Sequence, residues 1–108
     1  MPMSYNPETG LVYIPTQELY LPFQKDKEYT FKKDNWNTGI DFTAINPPKN
    51  LLQLGLLVKS IRGRLSAWDP IAQKEVWKKY QTLPWNGGLL STAGNLVFQG
   101  TSDGELIA

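Results

Sequence analysis

The chain has 108 residues, of which 41% are hydrophobic and 19% are charged, and its formal net charge is +1. This composition indicates a folded chain with one small core, and the near-neutral charge gives no electrostatic reason to expect a nucleic-acid partner. The absence of Cys and His excludes disulfides, thiolate nucleophiles, His-based catalytic triads and the common zinc sites.

A β-hairpin is the first predicted element. Residues 6–10 read Asn-Pro-Glu-Thr-Gly, in which proline fixes φ and glycine accommodates the positive φ that closes a turn. Leu11–Ile14 is predicted as the strand that follows, with Pro15 ending it. Residues 3–5 are placed to pair with this strand.

A long insertion is predicted to follow the hairpin. Residues 16–60 show no clean hydrophobic period, and they are interrupted by Pro22, Pro47, Pro48 and Gly39. We expect a surface insertion with one short helical turn, anchored by its aromatic residues. Residues 36–39, Trp-Asn-Thr-Gly, are the expected anchor, with the tryptophan covering the edge of the core. The alternative for this tryptophan is a ligand contact. The longest apolar run, residues 51–58, is interrupted by Gln53 and is far too short to cross a membrane.

Regular strands are predicted again after the insertion. Residues 63–68 form a short strand, residues 69–74 a turn, and residues 75–80 alternate as a half-buried strand. A tight connector, residues 83–88, leads on.

A second hairpin is predicted towards the end of the chain. Its strands are residues 89–92 and 96–100, and Ala-Gly-Asn at 93–95 makes its turn. Residues 102–104 then turn the chain into residues 105–108.

Two internal echoes favour a repeat architecture. Gly-Arg-Leu-Ser-Ala at residues 63–67 matches Gly-Glu-Leu-Ile-Ala at residues 104–108, and residues 9–13 match residues 93–98 with one extra residue. A repeat of about 40 residues with four short strands is typical of a β-propeller blade. The predicted fold class is therefore all-β, with antiparallel four-stranded blades and a long insertion loop.

The repeat divides the chain into four predicted segments. Residues 1–15 supply the first two strands of a blade, residues 16–60 the insertion, residues 61–80 the last two strands, and residues 81–108 the first strands of the next blade. The expectation is roughly two incomplete propeller blades.

Residues 67–77 resemble the tryptophan-docking motif of quinoprotein dehydrogenases. They contain Ala67, then Trp-Asp and a turn, and they end at Trp77. Asp69 is suited to accept backbone N–H groups in the turn. The resemblance implies that Trp77 stacks on a neighbouring blade, as a structural and not a catalytic residue.

A sharper resemblance lies in Pro-Trp-Asn-Gly-Gly at residues 84–88, together with residues 93–104. These residues are similar to the soluble, haem-containing alcohol dehydrogenases that use pyrroloquinoline quinone (PQQ). Residues 2–15 and Trp-Asn-Thr-Gly at 36–39 fit the same branch.

This resemblance implies an eight-bladed propeller that holds PQQ and calcium, with haem c in the closest branch. A catalytic Asp acts as base while a small alcohol gives its hydride to the quinone. Trp85 and Asn86 match the loop that lines the PQQ pocket, and the following glycines let backbone approach the ring. The alternative for Trp85 is an aromatic residue of the blade core.

The calcium ligands and catalytic Asp of the family lie in earlier blades, which this chain lacks. We therefore expect no catalytic or metal-binding residue here, no cofactor bound by the chain alone, and no activity without the rest of the enzyme. The resemblance also implies a periplasmic location, although residues 1–5 lack the features of a signal peptide. Open blade edges predict homo-oligomers. The alternative function is a non-catalytic propeller scaffold or interaction module.

Overall fold

Residues 1–108 are all described by the computed structural model, and they separate into two units. The first unit comprises Met1–Leu19 and Lys59–Ala108, and the second comprises Tyr20–Val58.

The first unit contains a four-stranded antiparallel sheet. Its strands are β1 (Ser4–Asn6), β2 (Leu11–Glu18), β3 (Arg62–Asp69) and β4 (Lys74–Gln81), and their order in the sheet follows their order in the chain. The insertion therefore lies between two strands that are direct neighbours. The predicted hairpin and the two predicted strands after the insertion are confirmed.

Pro15 does not end β2, which continues to Glu18. The prediction of a strand end at Pro15 was wrong because β1 pairs with β2 only as far as Tyr13, opposite Ser4. Beyond that residue β2 has no partner on the β1 side, and an unpaired edge tolerates a residue without an N–H group. On its other side β2 stays in register with β3, with Pro15 opposite Leu65.

A second antiparallel sheet follows in the same unit. It consists of β5 (Leu89–Ser91), β6 (Val97–Gly100) and β7 (Leu106–Ile107), again in chain order. The predicted second hairpin is thus confirmed. The backbone of β5 is tied to the start of the chain, since Leu89 N–H donates to the Pro2 carbonyl at 3.1 Å.

Side chains close the turns as their sequences indicate. Asn6 accepts the Glu8 N–H on its side chain at 2.9 Å, and Gly10 takes a φ of 69° where the turn ends. Asp69 Oδ1 accepts the N–H groups of Ile71 and Ala72, both at 2.9 Å. The prediction that Asp69 accepts backbone N–H groups in its turn is confirmed.

The core of this unit is small. Tyr13, Leu65, Ala67 and Leu89 are its buried apolar residues, and Leu11 and Val97 pack against them. Leu65 and Ala67 point inwards because they lie two residues apart on β3.

The second unit is mostly irregular. Lys25 and Ile40 form an isolated bridge, and Asp26 N–H donates to the Gly39 carbonyl at 3.0 Å, so the ends of the intervening loop are held together. Within the loop, the Asn37 side chain bonds both the N–H and the carbonyl of Lys32. Trp36 is 89% exposed, so it does not cover the edge of a core as expected, and the Asn37 side chain closes a local turn with Lys32.

Two helices lie in the insertion where one short turn was expected. Phe42–Ile45 forms a 3-10 helix, and Leu51–Ser60 forms the α-helix α1. The side chain of Asn50 accepts the Leu52 N–H at 2.8 Å and so caps α1. The sequence concealed α1 because its nearly continuous apolar residues show no polar face. Neither helix has the length and apolarity that a membrane span requires.

Candidate functional site

The candidate site is the connector between β4 and β5, defined here as residues 82–88. It contains both residues that were predicted to line a cofactor pocket, Trp85 and Asn86. The structure gives these neighbours opposite environments, because Trp85 is 67% exposed whereas Asn86 is only 8% exposed.

Both the nitrogen and the oxygen of the Asn86 side-chain amide form hydrogen bonds. Its Nδ2 donates to the Leu83 carbonyl at 2.7 Å, and its Oδ1 accepts the Ser102 N–H at 3.2 Å. The first bond closes the connector on itself, and the second ties it to the turn after β6. Asn86 therefore fixes the shape of the connector.

Trp85 is the large side chain that the connector presents to solvent. Pro84 before it and Asn86 after it are both buried, so the backbone directs the indole outwards. Trp85 is not among the residues of the small core of this unit. An exposed indole on a fixed loop can stack on a planar ligand.

Gly63 on β3 makes room for this arrangement. A Cβ atom on Gly63 would lie 2.3 Å from Asn86 Nδ2 and 2.5 Å from the Leu83 carbonyl oxygen. These distances are shorter than any non-bonded contact allows. Glycine is needed here because the connector packs directly on the β3 backbone.

The two glycines of the connector also allow close approach. A Cβ on Gly87 would lie 3.1 Å from the Gly100 carbonyl oxygen, and one on Gly88 would lie 2.3 Å from Cγ of Pro2. In the structure the glycines thus let the connector pack on its own unit. Their predicted approach to a cofactor ring stays a prediction.

Two glutamines that sequence reasoning missed complete the site. Gln81, the last residue of β4, donates from Nε2 to Gln99 Oε1 at 2.6 Å, and Gln99 donates from Nε2 to the Gly87 carbonyl at 2.8 Å. Gln99 lies opposite the buried Leu89 in the β5–β6 register. The available signal was a polar residue two positions after Val97, on a strand whose face is otherwise apolar.

The chemistry of the connector is that of a neutral binding surface. It offers an indole, backbone carbonyl and N–H groups, and side-chain amides, which can orient a ligand. The structure brings together no group of three or more His, Cys, Asp or Glu residues that could hold a metal ion.

The antiparallel sheets and the connector match part of the β-propeller of solved quinohemoprotein alcohol dehydrogenases, which confirms the predicted fold class. One such structure, ADHIIG of Pseudomonas putida HK5, is 39% identical with a TM-score of 0.82, over 98% of this chain and 16% of that one. The Comamonas testosteroni enzyme is 43% identical with a TM-score of 0.73, over 97% of this chain and 16% of that one.

Curated relatives agree with these structures. The quinohemoprotein alcohol dehydrogenase of Comamonas testosteroni is 46% identical over 99% of this chain, and a 1-butanol dehydrogenase (cytochrome c) of Thauera butanivorans is 44% identical over 98%. The chain spans 15% of the length of each of these relatives. No protein-family model matches the chain. The predicted resemblance to quinone-dependent alcohol dehydrogenases is confirmed.

Proposed function

We propose that this chain is part of the propeller of a quinone-dependent alcohol dehydrogenase, an oxidoreductase acting on the CH–OH group of alcohols. The carrying observation is the similarity to such enzymes over nearly the whole chain, at 46% identity to the Comamonas testosteroni enzyme. Because the chain spans 15% of that relative, the remaining blades must complete any working site.

In this proposal the connector faces the cofactor, PQQ, which accepts hydride from the alcohol carbon when it is bound. Trp85 stacks on the planar ring system, and Asn86 holds the connector in the shape that presents the indole. The fit rests on the exposure of Trp85 and on the absence of charged side chains from residues 82–88. Neither residue moves a proton.

The other components of the enzyme are proposed from the resemblance alone. Calcium, haem c and the catalytic Asp belong to parts of the enzyme outside this chain, and a small alcohol is the substrate. We also assign the complete enzyme to the periplasm on the same basis. The alternative, a non-catalytic scaffold or interaction module, is not favoured by the relatives, which are named as dehydrogenases.

The proposal is tested by grafting this chain into the Comamonas testosteroni enzyme in place of the matching segment. Trp85→Ala in this chimeric enzyme is expected to weaken PQQ binding about tenfold, because loss of an aromatic stack is worth about 1.4 kcal/mol. Trp36→Ala, which removes another exposed indole, from the insertion, is the control and should leave the affinity unchanged. Equal PQQ affinities of the Trp85→Ala and Trp36→Ala variants would contradict the proposal that Trp85 contacts the cofactor.

A further inference from the structure

Gln99 has the most completely buried large side chain in the chain, with 1% of its surface exposed. A buried primary amide is costly unless its hydrogen bonds are made. Both ends of this amide are bonded: the oxygen accepts from Gln81, and the nitrogen donates to the Gly87 carbonyl. None of these partners is an ionisable group.

The bonds of Gln99 converge on one residue of the connector. Gly87 donates its N–H to the Gly100 carbonyl at 2.7 Å, and its own carbonyl accepts from the Gln99 side chain at 2.8 Å. Both backbone groups of Gly87 are therefore held by consecutive residues of β6. Gly87 lies two residues after Trp85. The two hydrogen bonds to Gly87 therefore fix the part of the connector that carries the indole.

We propose that Gln99 is a positioning residue for the connector, acting through Gly87 on Trp85; its link to the cofactor rests on the function proposed above. The role needs a side chain that accepts at one end and donates at the other. Glutamate of the same shape keeps the acceptor for Gln81 but, when ionised, cannot donate to the Gly87 carbonyl. Methionine fills the space and makes neither bond.

Amide hydrogen exchange of the full chain, followed by NMR, tests this role. In Gln99→Glu at neutral pH, the N–H groups of Gly87 and Ser102 should exchange at least about tenfold faster than in the wild type. The Thr92 N–H, which donates to the Leu96 carbonyl within the β5–β6 turn, should keep its rate. A residue with only a general structural role would accelerate all three amides alike.

Acidification adds a readout specific to the proposed bond. Burial raises the pKa of the introduced carboxyl group, so it binds a proton at mildly acidic pH and regains the donor that Gly87 requires. Relative to the wild type at the same pH, the Gly87 exchange rate of Gln99→Glu should recover as the pH is lowered. Gln99→Met should show fast exchange at every pH, and Gln53→Glu, the same change on the exposed part of α1, should match the wild type.

Two outcomes would overturn the proposal. One is wild-type exchange at Gly87 in both Gln99 variants, and the other is an equal acceleration of Gly87, Ser102 and Thr92. If Gln99→Glu does not fold, Gln99→Met decides alone. In the chimeric enzyme Gln99→Met should weaken PQQ binding several-fold. Selective exchange without any effect on PQQ would leave Gln99 a positioning residue and contradict only the proposed role of the connector.

Discussion

Trp77 packs on Tyr13 of its own sheet, with ring centres 5.8 Å apart and tilted by 41°. The stacking of Trp77 on a neighbouring blade, which the resemblance implies, stays a prediction. Ala67 lies opposite both Trp77 and Tyr13 in the sheet register. The small side chain of alanine lets the two rings approach across β3.

Replacement of Trp77 and replacement of Trp85 should lower the stability of the chain by different amounts. Trp77 is 42% exposed, so Trp77→Ala should lower the free energy of unfolding by about 2 kcal/mol, roughly half of what a fully buried aromatic residue loses. Trp85→Ala should cost no more than about 0.5 kcal/mol because the indole lies at the surface. Urea denaturation measures both. Equal losses would abolish the distinction between a structural and a site residue.

The strands β3 and β4 are linked by a charged cluster beside a bulge. The register shifts between Ala67 and Trp68, and next to it Ser66 Oγ donates to Glu75 Oε2 at 2.8 Å. Hydrogen bonding from Ser66, the strongest influence, lowers the pKa of Glu75 below its ordinary value of 4.5, and Lys78 and Arg64 act in the same direction against desolvation.

This cluster predicts a pH-dependent contribution to stability. Because the pKa of Glu75 is lower in the folded chain, ionised Glu75 stabilises the fold fully above pH 4.5, and the contribution is lost as the pH falls through the folded-state pKa. Glu75→Gln should therefore be less stable than the wild type at neutral pH, and the gap should close in acid. Urea midpoints across this range measure it, with Glu105→Gln as an exposed control. A gap that does not change with pH would contradict the role of the carboxylate.

At the scale of elements, the sequence predicted what turns and alternation determine. The turns at residues 6–10, 69–74 and 93–95 separate strands that the structure contains. The helix α1 was not predicted because its apolar run shows no polar face. The end of β2 was placed too early because Pro15 was taken as a strand terminator, although it lies where β2 has no partner on the β1 side. The connector was found through resemblance, but the opposite exposures of Trp85 and Asn86 depend on Gly63, which is distant in sequence. Gln99 was missed because a polar residue on an apolar strand face does not reveal its hydrogen-bond partners, Gln81 and Gly87, which are distant in sequence.

At the scale of the molecule, an apolar cleft predicts association. A cleft of about 650 Å³ in the first unit is lined mainly by apolar residues, among them Leu11, Tyr13, Trp77, Leu96 and Ile107. A net charge of +1 offers little repulsion between copies. The isolated chain should therefore form oligomers at micromolar concentration, which sedimentation equilibrium measures. A folded monomer across a wide concentration range would show that this surface does not drive association.

The isolated chain should also be inactive. Supplied with PQQ, calcium and an artificial electron acceptor, it should oxidise no alcohol above a control without protein, because the proposal places the catalytic Asp and the calcium site in other blades. Dye reduction at saturating alcohol measures this. Turnover by the purified chain would mean that the machinery has been assigned to the wrong part of the enzyme.

The most direct test of the central claim is alcohol oxidation by the chimeric Comamonas testosteroni enzyme that carries this chain in place of its own segment. If the chain is the equivalent part of the propeller, the chimeric enzyme should bind PQQ and oxidise a primary alcohol at a rate within about tenfold of the parent. A version lacking the segment should do neither. A chimeric enzyme that folds and retains its haem but neither binds PQQ nor oxidises alcohol would contradict the claim.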